Sequence, residues 1–515
     1  MKNLFFLLFF IVLIGSATAQ RATRDSLLVH NNYMHANRDS INNFRNIVND
    51  SLDFALRTYA VNLFDYIGAF DTSTSWTNVF QSALTSLAGS GKIIYVPGNY
   101  KYSLTNAGNN PYAASHDYCL DLKTGGYTIQ GGQGAILYLK DAQQTDASGA
   151  LDMIVGKTMS NFAMRNLIII GNTAGQTGWT GGYAQIGNGC VIRIYGVGES
   201  YGVNNNLVFD RLDISDHWSN PIDVTGTDNL IISNSTAWGM GEGFEAINCR
   251  DVLFHNLNVN DSTDTHVGDG VELSNCINFT VTNCTVKENG AGAAFDLVSS
   301  QDGILKDFYI ENWANGISAQ SSASGQWVNN ILVTGGGMKN IPGGALESAD
   351  GKLTYENILI DSAGVSGFQI VVSDSTRLTT QIIKDCIFKR TAGSYIVGNR
   401  SLILDNCIFD STWGNALAIS RSFNNAEPEV YITNCIFSNS TQYGITESYG
   451  GTDSTFSVQG MVAHNTFRNN GWGDIDVWDS SAVFYSNNSS DTTLNITGNF
   501  NPPKGITPLS AYVSS

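Results

Sequence analysis

One short pattern recurs down most of this chain and limits what it can fold into. The pattern is an Asn or Asp, then an apolar residue or Cys, one free position, and another apolar residue. It reads NLII at Asn166, NLNV at Asn256, NCTV at Asn283, DFYI at Asp307 and NILV at Asn330. It continues as NILI at Asn357, DCIF at Asp385, NCIF at Asn406 and NCIF at Asn434, with weaker copies at Arg211 and Asn234. Successive copies from Arg211 to Asn434 lie 21 to 28 residues apart. A second ladder runs in phase with the first: IDV at Ile222, FEA at Phe244, VEL at Val271, FDL at Phe295, ISA at Ile317, FQI at Phe368, LAI at Leu417, ITE at Ile445 and IDV at Ile475. A period in the twenties with alternating strands predicts a solenoid, because no coil buries its apolar face alone and stacking makes one continuous core. Each coil reads as three short strands, for example Val271–Leu273, Phe279–Val281 and Cys284–Val286. The ladder Asn, such as Asn283, sits at a bend whose unusual dihedrals it tolerates.

The register also interprets the cysteines. Cys284, Cys386, Cys407 and Cys435 occupy the inward position that Leu257, Phe308, Ile331 and Ile358 fill in other coils, so they read as small buried hydrophobes and free thiols. A zinc site is disfavoured by the spacing. Before the coils, residues 1–19 read as a secretory signal, with Lys2, an apolar run from Leu4 to Ile14 and the small-residue site Ala17-Thr18-Ala19. Residues 20–60 form a polar spacer with helical periodicity. The solenoid is expected over residues 61–500, with a C-terminal tail over 501–515. The net charge of −18 argues against nucleic acid as a partner. The mature chain is expected outside the membrane, extracellular or periplasmic, and monomeric, with trimerisation through residues 21–60 as the alternative.

Residues 62–103 carry a second signature. Gly68-Ala69 precedes an amphipathic helix marked by Trp76, Val79, Phe80, Ala83, Leu84 and Leu87, and then comes Tyr95-Val96-Pro97-Gly98-Asn99-Tyr100. This opening resembles that of the pectate lyase superfamily. The resemblance implies an all-β, right-handed parallel β-helix of about 11–13 three-strand coils with a short N-terminal helical cap. It also implies a polysaccharide as partner. The superfamily includes pectin and pectate lyases, polygalacturonases, rhamnogalacturonases, carrageenases, alginate-modifying enzymes and phage tailspikes. GDGVEL resembles the Asn-Thr-Asp-Gly-Ile-Asp-Ile signature of polygalacturonases, with Asp269 at the first Asp. One coil on, Gly292-Ala293 stands where that family has Asp-Asp.

The outward middle position of the second ladder reads Arg193, Asp223, Glu245, Glu272, Asp296 and Ser318 on successive coils. Four carboxylates about 4.8 Å apart repel one another, so some must be protonated, paired or bound to a cation. A solvated acidic stripe is the bland alternative. Adjacent and alternate coils approach the carboxylate separations of retaining and inverting glycosidases. Asp223, Glu242, Glu245, Asp269 and Glu272 are therefore the candidate catalytic acids, and hydrolysis of a glycosidic bond is the leading reading. It requires no cofactor. Asp296, Arg193, Arg250, Lys287, His217, His266 and Trp238 are candidates for holding substrate. Trp218, Trp313 and Trp413 share a turn column and are expected to point inward. Two other readings stay open. One is a polysaccharide lyase or epimerase, in which Arg193, Arg250 or Lys287 serves as base and the stacked acids hold calcium. The other is a non-catalytic glycan-binding or tailspike-like protein.

Overall fold

The computed structural model describes residues 60–498 apart from 69, 114–115, 144–149, 177–188, 197–199, 218, 261–267, 289, 322–326, 349–350, 372–379, 398–400, 421–428, 449–458, 478–481, 492–493 and 495. The expected signal segment, the polar spacer and the C-terminal tail lie outside the described residues. The compact unit that contains the coils begins at Thr58. No helix among the described residues is long and apolar enough to cross a membrane.

The chain first forms the helix Thr77–Leu87, which buries Val79, Phe80, Ala83, Leu84 and Leu87. Trp76, Phe64, Tyr100 and Tyr102 pack edge-on and tilted beside it, with Trp76 and Tyr102 ring centroids 4.9 Å apart. The helix and this aromatic cluster close the end of the core that strands cannot cover.

From there the described strands form two parallel sheets. One, of 16 strands, is the first face of the coil, and only the short Gly108–Asn109 strand in it is antiparallel. The other bends and supplies the second and third faces. In the coil that opens on Val271–Ser274, the second face is Ile277–Thr282 and the third is Thr285–Lys287. The ladders pair as the repeat predicts: Glu245 lies opposite Glu272, and Glu272 opposite Asp296. Val271 and Leu273 are fully buried between these outward acids.

The bends repeat as well. Asn256, Asn283, Asn357, Asn406 and Asn434 all adopt positive φ between 53° and 58°, while the expected copy at Asn330 instead stacks on Asp302 in another column and Gly335 takes its bend. Their side chains link rung to rung, with Asn283 Nδ2 donating to Asn256 Oδ1 at 3.2 Å and Asn256 donating to Asn234 at 3.0 Å. Inside, Phe388, Phe409, Phe437 and Phe467 stack face to face at 4.7 to 5.3 Å. Each such buried side chain contributes about 1.5–3 kcal/mol. All eight cysteines are buried.

The tryptophan column splits. Trp313 is buried under its turn, as expected. Trp413 is 63% exposed and points outward, and Trp218 lies outside the described residues. The shared offset fails because Gly290, whose Cβ would collide with the Trp313 ring, makes the hole that Trp313 fills.

Candidate active site

The strands that carry the acids sit side by side in the first face. Ile192–Tyr195 pairs with Ile222–Thr225, then come Phe244–Ile247, Val271–Ser274 and Ala293–Val298. Hydrogen bonding between strands fixes the spacing near 4.8 Å, so the outward column Arg193, Asp223, Glu245, Glu272 and Asp296 cannot spread to relieve its repulsion. The same column continues through Ser318 to Glu347. Glu347 stands outside the apolar-x-apolar ladder because Ser348, in its strand Gly344–Ser348, takes the inward place that Ala319 and Ile370 fill in the neighbouring coils.

Glu242 and Asp269 come from the turns that feed these strands. A Cβ at Gly268 would run into the Glu242 side chain, and one at Gly292 into the Asp269 carboxylate. Each acid therefore lies across a glycine of the next rung. The Ala293 N–H donates to Asp269 Oδ1 at 2.5 Å. This gives Gly292-Ala293 a role of its own: it seats Asp269.

A cleft of ≈ 330 Å³ opens over this face, lined by Arg193, Asp223, Glu242, Glu245 and Glu272 among others. The acids in and beside it are hard to ionise. Burial, then the charges of Asp296, Asp269, Glu242 and Asp223, push Glu272 up to about 8. Burial and then Asp269 push Glu242 up to about 7. Burial and then Asp269 likewise raise Asp296 to about 7. Glu245 is driven well above its ordinary value by burial, then by Asp223, Glu272 and Glu242. For Asp269 burial outweighs the Ala293 N–H, which favours the charged form. Crowded carboxyls of this kind titrate as a group, so at neutral pH some hold protons while others do not.

The N-terminal end of the column is electrostatically different. Arg193 Nε lies 3.0 Å from Asp223 Oδ2, and its Nη1 is 3.7 Å from Asp152 Oδ1. Asp152 is fully buried. His116 Nδ1 lies 3.0 Å from its Oδ2, which also accepts from the Tyr195 hydroxyl at 2.9 Å and from Asn110 at 3.0 Å. Burial would raise Asp152, but the His116 bond and then the Arg193 charge outweigh it and hold the carboxyl below its ordinary value. Asn220 ties the two regions together by donating to Glu245 Oε2 at 3.1 Å.

Seven of the expected site residues thus converge: Arg193, Asp223, Glu242, Glu245, Asp269, Glu272 and Asp296. Four others do not join the cleft, and His266 lies outside the described residues. His217 ends the strand Asn204–His217 and is 1% exposed, so it cannot meet a polymer. Burial lowers its imidazole to about 4, which keeps it neutral. Arg250 begins a second-face strand and pairs with Asp228 at 2.9 Å while its guanidinium lies over Tyr201. Lys287 is on the third face, 3.7 Å from Glu311. Both are close to the acids in sequence, but a bend turns each away. Trp238 is exposed on the third-face strand Thr236–Met240, across the bend from Glu242. Asp152, His116 and Tyr195 escaped the sequence reading. Asp152 lies three residues before Val155, the residue in register with Arg193, so a search along one column misses it.

Among the described residues, no three His, Cys, Asp or Glu side chains converge as a metal centre. The stacked acids form a line rather than a cage, which does not fit the six to eight oxygens that calcium takes.

A family model described as a right-handed beta helix region matches residues 128–307. Mannuronan C5-epimerase AlgE4 of Azotobacter vinelandii is 30% identical over 177 residues, 33% of this chain and 28% of that protein. AlgE3 of the same organism is 28% identical over 216 residues, 40% of this chain and 11% of that protein. The match thus spans under a third of either relative. The solved A-module of AlgE4 aligns with 86% of this chain and 98% of its own, at 16% identity and a TM-score of 0.41.

Proposed function

We propose that this right-handed parallel β-helix, of the pectate lyase-like superfamily, is an exported enzyme that hydrolyses glycosidic bonds of a polysaccharide. One observation carries the reading: crowded carboxyls line an open cleft, and Glu272 is pushed up to about 8. A carboxyl that keeps its proton at neutral pH is a general acid. Glu272 would donate its proton to the leaving oxygen. Asp269, held in place by the Ala293 N–H, would act as the second carboxyl. Asp296, Glu242 and Asp223 maintain the field that holds the Glu272 proton, and Glu272 in turn raises Glu245. Arg193 is already ion-paired with Asp223, and the cleft is otherwise acidic. The sugars it takes at its centre are therefore uncharged ones. Calcium has no step in this reading.

A second reading is proton abstraction from a uronate, as in a C5-epimerase or lyase. The epimerase relatives favour it. So does the Tyr195–Asp152–His116 cluster, with Lys157 in register beside Tyr195 as a cation for a sugar carboxylate.

Purified protein is incubated with soluble neutral polysaccharides, alginate and pectin, with and without chelator. New reducing ends without unsaturated sugars, lost in Glu272→Gln, support hydrolysis. Unsaturated ends, or altered uronate stereochemistry by NMR, would replace it with the second reading. Polymer binding with no product would make the chain a glycan-binding protein.

A further inference from the structure

The bend between the third and first faces forms its own ladder. Gly243 donates to Asp269, Gly292 to Gly268, Gly343 to Ala314 and Val365 to Gly343. Farther along, Gln442 N donates to Gly414 O at 3.1 Å, and Trp472 N donates to Gln442 O at 3.2 Å. The acids Glu242 and Asp269 stand at one end of this edge. At the other end stand Trp413 and Trp472, 63% and 60% exposed. With Val365 at 56% on the same bend, these are the most exposed large apolar side chains among the described residues. These two indoles are the most exposed aromatic side chains among the described residues, and both stand on the edge that carries the acids.

Their surroundings say what they fit. Trp472 is braced edge-on by Tyr443, with centroids 5.8 Å apart and planes at 83°, so the ring has a fixed orientation. Gly414 follows Trp413, and Gly471 and Gly473 flank Trp472, so no neighbouring side chain in sequence crowds those sides of the rings. Between them lies Gln442, an amide with donors and an acceptor. Two rungs, roughly 9.6 Å along the stack, separate their backbones, with Trp413 one residue before the Gly414 that shares a ladder with Gln442 and Trp472. They stand as separate plates rather than one continuous apolar patch of the kind that seals protein interfaces. Open aromatic faces alternating with an amide match the C–H faces and hydroxyls of consecutive sugar rings.

We infer that Trp413, Gln442 and Trp472 form a second carbohydrate-binding platform that takes the uncharged sugar rings of the same polymer downstream of the cleft. The inference rests on the proposed polysaccharide function. Register places the platform six and eight rungs beyond Glu272, roughly 29 and 38 Å away. It would hold a long chain along the edge without touching the bond to be cleaved, and a short oligosaccharide in the cleft would not reach it.

The test is binding, kept apart from turnover. Full-length protein is run in native affinity gels containing soluble xylan, mixed-linkage β-glucan, glucomannan or galactan. Glu272→Gln serves as the cleft control, and thermal midpoints confirm that each variant is folded. Retardation by at least one polymer is expected. It should weaken about tenfold in Trp413→Ala and in Trp472→Ala, recover in Trp472→Phe, and persist in Glu272→Gln. Equal retardation of wild type and both Ala variants would overturn the platform and leave the cleft reading untouched. So would the absence of retardation by every polymer. Sedimentation runs alongside: a dimer that Trp413→Ala or Trp472→Ala converts to monomer would assign the edge to self-association and also overturn the inference.

Discussion

Replacing Glu272 with Gln should abolish turnover and, at the same time, make the protein more stable at pH 8. The reason is the proton Glu272 keeps. Its carboxyl is pushed up to about 8 by burial and then by Asp296, Asp269, Glu242 and Asp223, against 4.5 for an unperturbed group. Between those values the folded chain binds a proton that the unfolded chain releases. Stability from this group is therefore full below about pH 4.5 and is lost as pH rises towards 8. At 1.36 kcal/mol per pKa unit the whole gap corresponds to about 5 kcal/mol. The acids of the column share their protons, so about 2–5 kcal/mol is expected at pH 8. Gln has the same shape and no charge, so the variant escapes this loss. Urea unfolding followed by circular dichroism at pH 4.5, 6 and 8 would measure it. The two midpoints should lie close together at pH 4.5, with the variant increasingly ahead at pH 6 and 8. A constant offset at all three would refute the claim that Glu272 is held protonated by its surroundings.

Three further outcomes follow from the same geometry. In Asp296→Asn the largest single charge acting on Glu272 is gone; at ~4.8 Å and an effective dielectric of ~20 it is worth up to ~3.5 kcal/mol, but Asp296, itself raised to about 7, is only partly ionised at neutral pH. The alkaline limb of the rate profile should move down by about one pH unit, and an unmoved limb would remove Glu272 as the acid. Gly292→Ala puts a Cβ into the Asp269 carboxylate and should lower kcat about 100-fold with no titratable group altered, while Arg250→Ala, far from the cleft, leaves kcat unchanged. Arg193→Met strands Asp152 and Asp223 in the interior and should cost about 3–5 kcal/mol in unfolding experiments, a loss that a double variant with Asp223→Asn partly restores.

The coils were legible because their physics is periodic. Val271, Phe295 and Ile317 must point inward at each repeat, and Asn283 must bend at each repeat, so every copy corroborates the next. The acid column was legible for the same reason, since register converts one outward position into a line. Legibility ended where a residue's place depends on a turn. Arg250 and Lys287 lie within a few residues of the acids in sequence but on other faces, because each bend turns the chain away from the cleft. Trp313 and Trp413 share an offset, yet only Trp313 has Gly290 one coil earlier to make room for its ring. Asp152 and His116 come from the first coils, where the repeat is weakest, and nothing periodic points to Tyr195 as a donor to Asp152.

The architecture also explains why these acids stay perturbed. A carboxylate on a loop relieves repulsion by moving a few ångströms. On this face each acid is held by a backbone whose N–H and C=O groups are committed to the strands on either side, and relaxing one rung would break bonds in two neighbours. Beyond the reach of Arg193, which pairs with Asp223, repulsion is therefore relieved by taking up protons. The neighbouring faces show the alternative outcome of the same spacing: on the third face Lys287, Glu311 and Lys339 alternate in sign and pair at 3.7 and 2.9 Å. One ladder of like charges and one of opposite charges, built on the same coils, separate the part of the molecule that stores protons from the part that only holds it together.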